Sequence, residues 1–259
     1  MVKKDSITKV AVVGNTRLTL KGLSHLKLLP NVEVKLILGL SEKSLAQKVN
    51  SVSYDSLLFE CDDARLIKSD QWIEFEIYCI EENIDLIISL GDSRIVPESI
   101  INYFDVIGNH GAVLPDVQGG ASLVWGRMLN NGEWGVSIMK IDKQIDSGDI
   151  LNVKKFKYDT DLSQLDFCEK CDDLTIQALE EVLKGDYNKI QNTKWDVKVA
   201  KHTDSLETVK LLKYCIENNL SIYLPPRTPQ DSQIKSEWDD SFKFCFKIAN
   251  DNPYPKYNE

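Results

Sequence analysis

The amino-acid sequence predicts an open, doubly wound, mostly parallel α/β sheet. Short apolar runs at 9–14, 32–38 and 84–90 alternate with stretches of helical period. Those runs are hydrophobic almost throughout, the pattern of strands covered by helices on both faces. A chain of 259 residues, 42% hydrophobic and 27% charged, suffices for one large domain with a small appendage.

Each element has its own signal. Residues 9–14 read as the first strand. Leucines 20, 23, 26, 28 and 29 give the following stretch, 18–29, a helical period that Pro30 and Asn31 close. Residues 32–38 form the next strand, 41–50 a helix, and 66–67 a short strand. The stretch 70–82 is amphipathic through Trp72, Ile73, Phe75, Ile77 and Ile80, and it leads into the strand at 84–90. From Val106 a strand runs into a loop that is rich in glycine and ends at Pro115. Ser122 is placed to cap a helix through Trp125, Met128 and Leu129 that stops at Asn131 and Gly132. Residues 134–141 alternate as a strand, 142–149 form a charged loop, 150–151 resume a strand, and a helix over 162–183 ends at Lys184 and Gly185.

Beyond about residue 186 the composition shifts to Lys, Asn, Thr and Asp. The expected division is therefore a main domain over 1–190 and a C-terminal extension over 191–259. In the extension Asp204 and Glu207 make a capping box, opening a helix to Asn218 and Asn219. A strand at 222–224 precedes Pro225, Pro226 and Pro229, which cannot lie in a central strand, and a last helix over 242–249 precedes Pro253.

Composition excludes several classes. No run of eighteen apolar residues exists, and Met1 to Ser6 leads into polar sequence rather than a signal-peptide core, so a cytoplasmic protein without membrane contact is expected. Lys and Arg total 31 against 40 Asp and Glu, a net charge of −9 with no basic block, which disfavours nucleic acid as partner. The six cysteines read as reduced thiols. Cys168 and Cys171 have metal-like spacing, but no second CxxC or His pair accompanies them, and Cys168 falls on a buried helical stripe.

Ligands of such sheets gather at the carboxyl ends of strands, near the point where strand order reverses. Gly14-Asn15-Thr16-Arg17 and Gly91-Asp92-Ser93-Arg94 qualify. After Gly14 the next glycine is Gly22, so the dinucleotide fingerprint is missing and a nicotinamide enzyme is disfavoured. Of the three histidines, His25 lies inside the first helix and His202 among lysines. His110 emerges from a strand between Gly108 and Gly111, which allow a substrate close to the backbone. In Ile145-Asp146-Ser147-Gly148-Asp149-Ile150, Asp146 is suited to orient or charge that imidazole; a solvated turn is the bland alternative.

These residues, taken in order, resemble the folate-dependent formyltransferases. The family shows an Asn-x-His-x-Ser-Leu-Leu-Pro loop, an Arg-Gly step, a Trp, a Gly-Val-Thr strand and an Asp-x-Gly-Asp-Ile loop. Here stand His110-Gly111-Ala112-Val113-Leu114-Pro115, Gln118-Gly119, Trp125, Gly135-Val136-Ser137-Ile138 and Asp146-Ser147-Gly148-Asp149-Ile150. Leu90-Gly91-Asp92-Ser93-Arg94-Ile95-Val96-Pro97 is similar to the segment lining the family's pterin pocket, and Arg227-Thr228-Pro229-Gln230-Asp231-Ser232-Gln233-Ile234 to a stretch of the aminosugar branch. Two positions depart: Gly108 occupies the place of the family asparagine, with Asn109 beside it, and Gln118 replaces the arginine.

The resemblance implies a Rossmann-like formyltransferase fold and transfer of a formyl group from N10-formyltetrahydrofolate, as co-substrate and without a metal, to a primary amine. It implies His110, Asp146 and Asn109 as catalytic residues. Ser93, Arg94, Ile95, Val96, Ile141, Asp142 and Ile145 would hold the folate, and Gly111, Gln118 and Gly119 the acceptor. A nucleotide-linked amino sugar is the expected acceptor. Glycinamide ribonucleotide, methionyl-tRNA, hydrolysis of the formyl-folate, or a non-catalytic folate or nucleotide binder are the alternatives. The helix near 204–219 is left with two roles, a cover on the acceptor site or a homodimer contact.

Overall fold

The computed structural model describes residues 6–193, 197–200 and 204–254. The expectations for Met1 to Asp5, His202 and Pro255 lie outside them. In chain order the elements are β1 (Thr8–Val13), α1 (Arg17–Leu26), β2 (Val32–Gly39), α2 (Glu42–Leu45), α3 (Tyr54–Glu60), β3 (Arg65–Lys68), α4 (Ile73–Glu81), β4 (Leu86–Ser89), α5 (Glu98–Tyr103) and β5 (Asp105–His110). There follow β6 (Val117–Gly119), α6 (Ser122–Leu129), β7 (Glu133–Lys140), β8 (Ile150–Lys157), α7 (Gln164–Lys184), β9 (Lys198–Val199), α8 (Ser205–Glu217), β10 (Ile222–Leu224) and α9 (Asp240–Ala249). Two compact units interleave along the chain. The first takes Met1–Asn109, Ile138–Asn152 and Ile176–Lys189; the second takes His110–Ser137, Val153–Thr175 and Ile190–Glu259.

The seven-stranded sheet has the order β3-β2-β1-β4-β5-β7-β8. Strands β1 to β5 pair in parallel, and their order reverses between β1 and β4. The backbone bonds Lys140 N to Asp149 O and Tyr158 N to Gly132 O run as in an antiparallel pair, so β7 and β8 form a hairpin. The sheet is therefore mostly parallel, as the apolar runs predict. In the first unit, alternate residues of β1 divide its core. Val10 and Val12 meet Leu23 and Leu26 of α1 and Leu179 of α7, while Ala11 and Val13 meet Phe75 of α4 and Ile100 of α5. Burial on both faces is the reason these strands are apolar throughout.

The second unit has its own core, built on Trp125, Met128, Phe167, Leu212, Leu224, Trp238 and Phe246. Its three-stranded sheet, β6-β10-β9, is parallel. Helix α8, whose role was open, buries Val209, Leu212 and Cys215 in this core. Cys168 and Cys171 are buried there too, and among the described residues no group of His, Cys, Asp and Glu side chains is arranged to hold a metal ion. No described helix is long and apolar enough to cross a membrane.

Several local expectations are corrected. The helix expected over 41–50 is one turn, α2, which buries no residue and so lacks the packing that would extend it. Helices α3 and α5 were not expected. They bury one residue each, Leu57 and Ile100, too few to show a period, although Ser53 and Pro97 stand at their N-caps. The sequence reads β6 as loop, because three residues show no alternation and its partner β10 lies about a hundred positions on. Ser122 is the first helical residue of α6 rather than its cap. Ala121 is the cap, at φ 53°, because Gly120 N is held by Leu224 O at 2.8 Å and the chain must turn sharply into the helix. Asp204 does cap α8, accepting from Leu206 N at 2.7 Å, but Glu207 pairs with Lys210.

Candidate active site

In the first unit, the carboxyl ends of β1 and β4 at the reversal point carry the two glycine turns. Gly14 has φ 147°, and a Cβ there would meet Leu90 O at 2.2 Å, so the β1 turn lies against the chain leaving β4. Asn15 fixes that turn, accepting from Leu40 N at 3.1 Å and donating to Val52 O at 2.8 Å. At the β4 turn, Gly91 has φ 66° and its N–H donates to Asn109 Oδ1 at 2.9 Å. Asn109 thus anchors the turn through its oxygen, which points its Nδ2 donor outward from that bond. Among the described residues no protein acceptor takes Nδ2.

Arg94 does something the sequence did not reveal. Its Nη1 donates to Ser69 O at 2.7 Å and Gly39 O at 3.3 Å, its Nη2 to Leu38 O at 3.1 Å, and both Nε and Nη2 reach the carboxylate of Asp92. The guanidinium also lies over the Trp72 ring, 5.5 Å from its centroid. A side chain with five donors in a rigid fork is here spent on three strand-end carbonyls and one carboxylate. Arg94 therefore ties the loop after β4 to the ends of β2 and β3. Beyond it, Ile95 is exposed and Val96 is buried, while exposed Ser93 accepts from Lys48 Nζ at 3.1 Å.

The acidic loop belongs to the same unit. Gly148 sits so tightly that a Cβ would lie 1.9 Å from Lys140 O, and Lys140 N donates to Asp149 O at 2.9 Å. Asp146 has φ 50°, a left-handed conformation that Asp tolerates better than most residues, and is partly buried. Asp142 is exposed and caps Lys143 N at 2.7 Å; Ile141 is partly buried and Ile145 exposed. Ile141 also explains Gly108, since a Cβ at that position would meet Ile141 Cδ1 at 2.7 Å. The family asparagine would have to displace this side chain.

The chain passes into the second unit between Asn109 and His110. His110 is buried, and its Nε2 lies 3.0 Å from Val117 O. A carbonyl only accepts, so Nε2 carries the hydrogen, and protonation of Nδ1 distinguishes imidazole from imidazolium. Val117 is held in turn, because β6 pairs with β10 and Ile222 N donates to Asp116 O at 2.8 Å. Gly111 packs its α-carbon against Ser122 and Leu123, and its carbonyl accepts from Trp134 Nε1 at 2.9 Å. Gln118 is fully buried; its Nε2 donates weakly to Pro115 O at 3.4 Å and its Oε1 has no donor among the described residues. Gly119, at φ 94°, lies against Leu224 O. Of the other histidines, His25 stays within α1, 3.3 Å from Glu180.

The structure thus brings Asn109 onto Gly91 and Arg94 onto the ends of two strands within the first unit, and His110 onto Val117 in the second. The chemistry available is a hydrogen-bond donor at Asn109, a titratable imidazole of defined tautomer at His110, and a carboxylate at Asp146 on a constrained loop.

Known proteins share this arrangement of chain. Methionyl-tRNA formyltransferase of Lachnospira eligens is 31% identical over 106 residues, 40% of this chain and 33% of that protein. The chain spans from about a third to three-fifths of the length of the curated relatives it matches. Among solved structures, methionyl-tRNA formyltransferase from Clostridium thermocellum superposes with a TM-score of 0.65 at 14% identity, over 97% of this chain and 87% of that one. The N-formyltransferase from Helicobacter canadensis, solved with folinic acid and dTDP-3-aminofucose, gives 0.61 at 14% identity, over 94% and 80%. At such identities these structures establish the fold. The formyl transferase family profile matches residues 29–183, more than half of the sequence, and this chain belongs to that family.

Proposed function

We propose that the chain transfers a formyl group from N10-formyltetrahydrofolate to a primary amine, and that the amine belongs to a nucleotide-linked amino sugar. The observation that carries the reading is His110, buried in the family-matched region with its tautomer set by Val117 O at 3.0 Å. The residues after β4 and in the acidic loop fit a flat heteroaromatic ring. Ile95 and Ile145 are large apolar side chains left exposed beside polar backbone, the composition of a small-molecule site. Ile141 and Val96 would line the same pocket, with Ser93 and Asp142 at its polar edge and Arg94, its donors taken by the protein, holding the loop behind them. Residues 1–190 then hold every side chain assigned to the reaction, while 191–259, expected as an extension, help build the core of the second unit.

The folate supplies an activated formyl carbon. As the amine nitrogen forms its bond to that carbon, the formyl oxygen gains charge, and the bond to N10 then breaks. His110, protonated at Nδ1, donates to that oxygen, and Asn109 Nδ2 is the second donor. Asp146 stabilises the imidazolium and receives the proton that the amine loses, directly or through water, while N10 leaves with a proton. Gly111, Gln118 and Gly119 border the acceptor.

A small acceptor is supported by the net charge of −9, which supplies no positive field for a polyphosphate chain. Methionyl-tRNA is the second reading, favoured by the curated relatives. The test incubates the protein with the formyl donor and either dTDP-linked amino sugars or methionyl-tRNA, and follows tetrahydrofolate release. Release is expected with a sugar, and both His110→Ala and Asp146→Asn should slow it by about 10²-fold or more. Release with methionyl-tRNA alone selects the second reading. Donor binding without release for any amine makes the chain a non-catalytic binder.

A further inference from the structure

Helix α4 is apolar on two faces. Phe75 and Cys79 are buried in the core of the first unit, with Trp72 just ahead of the helix. Ile73, Ile77 and Ile80 are 71%, 51% and 58% exposed, and their spacing of four and three makes one continuous outward stripe. α5 widens the patch. Both helices lead into neighbouring parallel strands, so they run side by side in one direction, and Ser99 Oγ donates to Glu76 Oε2 at 2.8 Å. One turn beyond that bond, α5 ends at Tyr103, which is 80% exposed.

A helix with a second apolar stripe beside its core face is commonly covered on both, and large apolar side chains exposed in one stripe mark a contact surface. The flanks state the charge of what covers it. On the helical period Glu74 and Glu81 border the isoleucine stripe on one side and Glu76 on the other. None of these three carboxylates forms an ion pair among the described residues. A second copy of the chain would set these carboxylates against one another, and an anionic bilayer would be repelled in the same way. We propose that this face docks an amphipathic helix of a partner protein, whose apolar ridge is flanked by Lys and Arg. Its isoleucine stripe supplies the apolar contact and its carboxylates select the partner by charge. The inference does not depend on the formyl-transfer reading.

The probe is a fluorescent synthetic helix of about 18 residues with leucines at i, i+4, i+7 and i+11, made in one version with lysine flanks and one with glutamate flanks. Anisotropy titrations use the whole chain. The lysine peptide should bind about ten-fold or more tightly than the glutamate peptide, and should weaken as salt rises from about 50 to about 300 mM. Ile77→Asp, at an exposed position, should weaken it about ten-fold, as should the milder Ile77→Ala paired with Ile80→Ala. The double exchange Glu74→Lys, Glu81→Lys should reverse the preference. Equal binding of both peptides, no binding, or indifference to the Ile77 change overturns the proposal. A wild-type dimer in sedimentation that Ile77→Asp dissociates also overturns it, in favour of self-association.

Discussion

At the scale of single residues, Arg94, expected to face a ligand, donates instead to the protein's own carbonyls and to Asp92. Its donors hold Leu38 O, Gly39 O, Ser69 O and Asp92, so its effect on a bound molecule passes through the loop it positions. A lysine has one ammonium in place of the fork and leaves Asp92 and at least one carbonyl short of a donor. Arg94→Lys should lower stability by about 2 kcal/mol, measured by denaturant unfolding. It should raise the KM for the formyl donor about ten-fold with kcat within about two-fold, because the loop shifts while the reacting groups stay. An equal fall in kcat would place Arg94 at the reaction itself. Asp116, next to the residue that holds His110, offers a test in pH. Burial pushes its carboxyl above the ordinary carboxylate value, against a smaller pull downward from Lys155. A folded value above the unfolded one means that Asp116 contributes stability below the unfolded value and loses it as pH rises through the folded value. Asp116→Asn should therefore raise Tm at pH 7, with the gain disappearing below about pH 4. A gain that persists in acid would refute burial of the charge as the cause.

At the scale of elements, β6 joins the histidine loop to the chain's last third. Gly119 has φ 94°, and a Cβ there would lie 1.9 Å from Leu224 O, a backbone atom that can move only with β10. Gly185, at the end of α7, has φ 82° with nothing within 4 Å of its Cβ position. The two separate conformational strain from collision. Gly185→Ala should cost about 1 kcal/mol, from the left-handed backbone alone. Gly119→Ala should cost about 3 kcal/mol, because the β6–β10 pairing must open as well. Unfolding midpoints of the two variants check the difference, and similar values would show that β10 yields freely. The sequence predicted β10 and missed β6, since a three-residue strand is defined by its partner rather than by its own period.

At the scale of the whole molecule, the two compact units do not follow the order of the chain. The core of the second unit takes Trp125, Met128 and Phe167 from before residue 190, and Leu212, Leu224, Trp238, Phe242 and Phe246 from after it. The tail is thus part of the core that includes Val117, whose carbonyl meets His110. A chain ending at residue 190 should lose cooperative unfolding of this unit and expose Trp125 and Trp134 to quenching, because the apolar surface they bury has lost its cover. A truncated chain with a sharp thermal transition and shielded tryptophans would show instead that 191–259 is dispensable to folding.

Sequence alone determined the sheet class, most of its strands and long helices, and the candidates His110, Asn109 and Asp146, because apolar period and motif order are local properties of the chain. It also carried the family resemblance that the match over residues 29–183 bears out. Only the tertiary structure decided that Arg94 binds carbonyls, that Asn109 anchors Gly91, that Ile141 crowds Gly108, and that α4 has a second apolar face exposed among the described residues. Each of those depends on which distant atoms meet, and backbone carbonyls, a hydrogen-bond partner eighteen residues away or the direction of an isoleucine leave no mark on the residues beside them.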